Sequence, residues 1–324
     1  MKKTYKRLLW IRIESRPFEE RAPLSPKACL TLIKLGHKVV VEASKSRIFK
    51  DSDYKEVGCE IAAPNSWIMA PTDAFILGLE PLTGENFPLN HRHIYSSKAY
   101  FSDSDSTPLF KRFMLGGGKL YDLDKLVDKK GSKVASFDYW DGVMAAGLSL
   151  KYWAFKKLSL DPKDLAPLLP ENELKDYIDK IGGYLDLVGS FPEVLIQNHK
   201  NERGRGAQFI LRKLGAQFSA LEDGELDLTI LIDKPLHLHQ SKMSEDLDFL
   251  EAKELSSYLP KTSSESFSAE LLPYIIDLLQ AEIEDTAWER SLSAFYKEIE
   301  RLELFPASSP IMAQNQDDSA INLH

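Results

Sequence analysis

Arg12, Glu14, Arg16, Glu19 and Arg21 alternate in sign within ten residues near the start of the chain. Arginine offers a planar fork that takes a carboxylate through two parallel N–H···O bonds, and neighbouring glutamates can hold such forks in place. The segment therefore has two readings: a carboxylate-binding site, or a solvated loop whose surface ion pairs contribute little. His91-Arg92-His93 and His237-Leu238-His239 each place two imidazoles on one side of a strand, but neither supplies the third ligand that a metal site needs, so no metal is expected. Gly116-Gly117-Gly118-Lys119 lacks the upstream glycine and the following Ser or Thr of a phosphate-binding loop, and neither HExxH nor GxSxG occurs. Cys29 and Cys59 form no CxxC and read as small buried hydrophobes.

The elements that must position these residues alternate in type. Leu8 to Ile13 reads as a strand; Ser25-Pro26 caps a helix that stops at Gly36; His37 to Glu42 is a β-branched strand; Asp51 to Glu56 begins a short helix closed by Gly58. Ala74 to Leu79, a segment from His93, Lys119 to Leu123 and Lys133 to Phe137 read as further strands, with a helix over Leu109 to Leu115. A long Ala-rich helix over Gly142 to Lys157 follows, then mostly helical sequence to residue 190. A second α/β unit begins at Glu193 to Ile196, with its helix over Arg203 to Leu214, a short strand over Ala216 to Leu221 and an apolar one over Leu226 to Ile232. Two helices, Ser268 to Glu284 and Ala287 to Leu304, close the fold. The wiring predicts an α/β protein of two domains with mainly parallel sheets, the second a shortened Rossmann-like nucleotide domain. The expected segments are an N-terminal domain over 1–145, connecting helices over 146–192, the shortened domain over 193–260, C-terminal helices over 261–304 and a disordered tail over 305–324.

A length of 324 residues fits two domains, and the formal net charge of −8 argues against nucleic acid as a partner. No apolar run reaches the ~18 residues of a membrane helix. Arg12 and Glu14 cut the apolar stretch at the N-terminus too early for a signal peptide, so a cytoplasmic location is expected.

Several ordered stretches resemble the lysine-forming saccharopine dehydrogenases and their alanine dehydrogenase relatives. They are Arg12-x-Glu14 with Glu19-x-Arg21-Ala22-x-Leu24-Ser25-Pro26, Leu35-Gly36-His37-x-Val39-x-Val41-Glu42, Phe87-Pro88-Leu89-x-His91-x-His93-Ile94, and Gly118-x-Leu120-Tyr121-Asp122-Leu123. Asp138-x-x-x-Gly142 through Trp153-Ala154-Phe155-Lys156 and Glu254-Leu255-x-x-Tyr258-Leu259-Pro260, with Phe267-Ser268-x-x-Leu271-Leu272-Pro273, continue the likeness. The resemblance implies NAD-dependent oxidation of saccharopine to an imine, hydrolysed to lysine and 2-oxoglutarate, with a Lys and a His as the acid–base pair. It places the family His on His93, the substrate-binding Arg on Arg21, a second cation on Arg16 beside Glu19, and a basic substrate contact on Lys133.

Two departures stand out. The family's catalytic Lys falls at Leu79 or Glu80, and no lysine occurs between Lys55 and Lys98. Glu80, as a base whose pKa burial raises, or Lys98, reaching back from five residues after His93, would have to replace it. The Gly-rich cofactor turn reads Gln197-Asn198-His199-Lys200-Asn201-Glu202-Arg203-Gly204-Arg205-Gly206, with asparagines at two of three glycine positions. Asparagine tolerates a left-handed backbone, but its side chain fills the path of a pyrophosphate. Arg203, Gly204, Arg205 and Gly206, with Glu222 or Asp223 as the ribose-binding acid, are the candidate contacts for NAD. The reading is thus a saccharopine dehydrogenase-like protein of lysine metabolism acting on an amino or keto dicarboxylic acid. The alternative is a catalytically inactive homologue that binds such an acid or serves as a regulatory subunit with a protein partner.

Overall fold

The computed structural model describes residues 7–16, 19–82, 86–98, 100, 103–161, 170–171, 173–196, 199–219, 228–230, 238–239, 255–280 and 286–304. Asn198, Glu222, Asp223, His237 and the tail over 305–324 lie outside them.

The first sheet is built from β1 (Leu8–Ile11), β2 (Lys38–Glu42), β3 (Glu60–Ala62), β4 (Phe75–Leu77), β5 (Arg92–Tyr95) and β6 (Lys119–Asp122). All pairs are parallel and the order is β3-β2-β1-β4-β5-β6. Helices α1 (Pro26–Lys34), α2 (Asp51–Glu56) and α3 (Asp103–Gly116) make the crossovers. Ser25 accepts from the Ala28 N–H and Pro26 fixes the first turn of α1, as the sequence predicts. Strand direction reverses its spatial progression between β1 and β4, and in such sheets the crevice beyond the carboxyl ends at that point is where ligands bind.

Two-residue alternation sorts the strands' side chains. Leu9, Ile11, Phe75, Leu77, Ile94 and Tyr121 face the layer of α1, α7 (Pro260–Gln280) and Trp288. Ile76, Tyr95 and Leu120 face the opposite layer, built from Phe110 and Phe113 of α3 and from Phe295 and Ile299 of α8 (Ala287–Arg301). The last two helices among the described residues, α7 and α8, thus cover the first sheet.

Between them lies a second unit. Helix α4 (Asp138–Lys157) is buried almost all round and packs against α5 (Leu174–Val188) and α6 (Glu202–Lys213). Where α4 crosses α6 the backbones touch: a Cβ at Gly142 would meet the Arg203 carbonyl at 1.9 Å, and one at Gly206 would meet the Tyr139 carbonyl at 1.9 Å. The second sheet has the order β10-β9-β7-β8, from β7 (Val194–Ile196), β8 (Phe218–Ser219), β9 (Leu228–Ile230) and β10 (Leu238–His239). Its pairs are parallel except β9 with β10. The fold is therefore the expected α/β class, with one small and one larger mainly parallel sheet.

Three local expectations change. The strand expected over Lys133 to Phe137 is a single bridge between Val127 and Lys133, because no strand of the first sheet lies beside it. Helix α4 starts at Asp138, before Gly142, and α3 starts at Asp103, before Leu109. Cys29 and Cys59 are buried free thiols. Among the described residues no helix is long and apolar enough to cross a membrane.

Candidate functional site

Arg12 follows β1 and Gly78 follows β4, so the two meet in the crevice between these strands. The Arg12 guanidinium lies on the bare glycine, where a Cβ would sit 2.5 Å from its carbon, and donates to the Glu80 carbonyl and to the Ile13 carbonyl at 3.1 Å. Glu14 pairs with Arg12 at 3.4 Å and accepts the Leu79 and Glu80 N–H groups at 2.7 and 3.0 Å. Two of the alternating charges therefore build the turn that carries Glu80.

Of the other three, Arg16 and Arg21 reach the Glu80 side chain and Glu19 holds both of them. Arg21 grips Glu19 through Nε and Nη2 at 2.8 and 2.7 Å, while Arg16 reaches the same carboxylate at 2.6 Å. Burial would raise the Glu19 pKa, but the hydrogen bond and charge of Arg21, with the charge of Arg16, hold it below the usual value. Glu80 Oε1 then lies 3.5 Å from Arg16 and 3.6 Å from Arg21, and its Oε2 lies 3.3 Å from Lys98 Nζ. Arg21 is 2% exposed, donates to Ser256 Oγ at 2.9 Å and stacks 4.2 Å from the Phe137 ring. A segment legible as either a solvated loop or a binding site is thus a buried charge network.

This network forms one wall of a cavity of about 380 Å³ at the carboxyl ends of β4, β5 and β6. Its charged lining is balanced: Arg21, Lys98, Lys133 and Arg203 against Glu80, Asp124, Asp138 and Asp141. Lys133 pairs with Asp138 at 3.1 Å, and Arg203 lies 2.9 Å from Asp138 and 3.5 Å from Asp141. Burial raises Asp138, yet Lys133 and Arg203 outweigh it and leave its carboxyl low. Burial dominates at Asp141 and keeps its pKa raised, although it accepts the Ser256 N–H at 2.8 Å.

Of the residues expected at a catalytic centre, the structure brings Glu80 and Lys98 together and leaves His93 elsewhere. His93 shares its face of β5 with Tyr95, not with Ile94, and its ring sits among Trp67, Tyr95, Phe113 and His91 with centroids 5.1 to 6.2 Å away. It is fully buried, lines no part of the cavity, and burial, then the charges of His91, Arg12 and Arg112, lower its pKa well below the ordinary value. Arg16, Glu19, Arg21 and Lys133 do gather at or beside the cavity. Asp124, Asp138 and Asp141 were missed as site residues: the motifs containing Asp122 and Asp138 mark the neighbourhood, but only the folded sheet shows that these acids share a cavity.

The turn before α6 departs from a dinucleotide cradle. Asn201 caps the helix, its side-chain oxygen accepting the Gly204 N–H at 2.8 Å, a donor otherwise open to a phosphate. Arg203 turns into the cavity, Arg205 pairs with Glu202 at 2.6 Å, and Gly206 serves the contact with α4. The described residues of this turn do not fit a pyrophosphate; Glu222 lies outside them.

Comparison with known proteins agrees with the wiring. Residues 10–144 match the alanine dehydrogenase/PNT N-terminal domain family. An L-alanine dehydrogenase structure superposes with a TM-score of 0.55 at 15% identity, covering 88% of this chain and 93% of that one. Residues 10–144 thus resemble an alanine dehydrogenase/PNT N-terminal domain, and the chain has an α/β fold of the alanine dehydrogenase type. Among curated proteins, the saccharopine dehydrogenase (NAD(+), L-lysine-forming) of Yarrowia lipolytica is 29% identical over 91% of this chain and 98% of its own length. That of Candida glabrata is 38% identical over 64% of this chain, which spans 57% of the relative's length. The chain is therefore saccharopine dehydrogenase-like in sequence over most of its length.

Proposed function

We propose that this chain binds a small amino or keto dicarboxylic acid in the cavity between Arg21, Lys98, Lys133 and Arg203, without taking up NAD. The observation that carries the reading is Arg203: a cation from the start of the would-be cofactor helix is spent on Asp138 and Asp141 inside the cavity. A space of about 380 Å³ suits a small metabolite. Its four cations already face four carboxylates, so a ligand carrying both signs can exchange with these pairs at little net electrostatic cost. A zwitterion is favoured over a bare dianion on this account. Relatives named for saccharopine and lysine make those two compounds, with 2-oxoglutarate, the first ligands to try.

Calorimetric titration tests this. Saturable binding of saccharopine, lysine or 2-oxoglutarate, lost in Arg21→Ala, with no heat from NADH or NAD⁺ at millimolar concentration, is the expected result. The Glu80–Lys98 pair favours a second reading, a divergent oxidoreductase in which this pair moves protons. Micromolar NADH binding together with NADH consumption in the presence of lysine and 2-oxoglutarate would replace the first reading by the second.

A further inference from the structure

Lys98 stands beside Glu80 in a backbone conformation that side chains other than glycine rarely adopt, with φ of +55°. Something must hold it there. The two residues before it are tied down from the next strand. Ser96 Oγ donates to Asp124, Ser97 Oγ donates to Asp122, and the Ser97 N–H reaches the same Asp122 oxygen at 3.2 Å. The other Asp122 oxygen accepts the Asp124 N–H at 2.7 Å, and the Asp122 carbonyl accepts Ser291 Oγ of α8 at 2.9 Å. Asp122 is fully buried, so its position is set by the sheet and the last helix, and it transmits that position to the Lys98 loop.

We infer that Asp122 is a positioning residue for the cavity: by gripping Ser97 it fixes the loop that sets Lys98 against Glu80, and loss of its charge loosens that pair. The inference rests on the proposed use of the cavity only for its functional meaning; the coupling itself needs no ligand. The chemistry of the release is local. A carboxylate accepts from the Ser97 hydroxyl, whereas a proton on that same carboxyl oxygen is there to be donated, and the Ser97 hydroxyl is an acceptor beside it. Protonation therefore reverses the Asp122–Ser97 bond and removes the charge that strengthened both ties from Ser97.

The proton arrives near neutrality. Burial and then the charge of Asp124 push Asp122 up to about 7, against the hydrogen bonds from Ser97 and Asp124. Tyr95 on β5 and Tyr100 beyond the loop also feel the charge of Asp122, as Tyr95 feels Arg12 and Arg112 and Tyr100 feels Glu298 of α8. Among the described residues, Lys98 meets Glu80, whose other oxygen faces Arg16 and Arg21, and Asp124 lines the same cavity. Asp122 both touches the loop and is pushed into the neutral range.

Reductive methylation with ¹³C-formaldehyde gives each lysine a dimethylammonium NMR signal that keeps its charge, and Lys98→Arg identifies the Lys98 signal by its absence. In the full chain without ligand, that signal is expected to shift with an inflection near pH 7, and Asp122→Asn is expected to abolish the inflection. Ser97→Ala keeps the acid but cuts one tie, so it should displace the Lys98 signal even if Asp122→Asn fails to fold. An inflection unchanged in Asp122→Asn, a flat wild-type signal, or a Ser97→Ala spectrum identical to wild type would each overturn the inference. None of these readouts depends on whether acids or NADH bind, so failure of the binding reading is seen separately, in the calorimetry.

Discussion

At the scale of single residues, the molecule spends its buried charges on backbone. Glu42 is fully buried and accepts from Trp10 Nε1 and from the N–H groups of Ile13, Asn65 and Trp67, at 2.6 to 3.1 Å. Glu42→Ala strands four donors, and urea titration is expected to register a loss of about 3 kcal/mol or more. Arg21→Ala leaves Glu19 buried without its main partner and should cost a similar ~3–5 kcal/mol, beyond its effect on ligand. His93 shows the limit of sequence at this scale. The resemblance places the family's acid–base His on it, but the pleat turns its ring to the α3 layer, a choice fixed by pairing with Ile76 and Leu120. Glu80 and Lys98 were legible as candidates for one role, not as partners, because their meeting depends on β4 and β5 being neighbours.

At the scale of elements, the crossing of α4 over α6 is the contact most open to attack. Replacing a helical glycine by alanine ordinarily stabilises a helix by roughly 1 kcal/mol. At Gly142 and Gly206 the new methyl would meet a carbonyl oxygen instead. Gly142→Ala and Gly206→Ala are each expected to destabilise by about 1–3 kcal/mol in denaturant unfolding, a reversal of sign that Gly183→Ala, with nothing near its Cβ position, does not share. The elements themselves were the most readable level. Capping at Ser25-Pro26 and the β-branched run after Gly36 are local signals and appear where they are expected. Lys133 to Phe137 has the composition of a strand but pairs only through the Lys133 bridge to Val127, and no local pattern reports a missing neighbour.

At the scale of the whole molecule, pH acts on stability from two sides. His93 has a lowered pKa when folded, so the unfolded chain binds the proton more readily, and stability is expected to fall as pH drops below about 6.5. Asp122 has a raised pKa, so its contribution is present at low pH and lost as pH rises through about 7. Thermal unfolding followed across pH 4 to 9 should show the gain in stability up to about pH 6.5 reduced in His93→Phe and the opposing loss between about pH 4 and 7 reduced in Asp122→Asn. The return of α7 and α8 to the first sheet has a different consequence, one of timing. Tyr121, Phe110 and Phe113 wait for Trp288 and Phe295, which follow them by more than 160 positions. During synthesis the first sheet emerges from the ribosome early, with part of each greasy face bare until α8 is made. Chains halted before residue 287 should then be clients of chaperones, and a separately supplied α8 peptide would be the natural means of rescuing them.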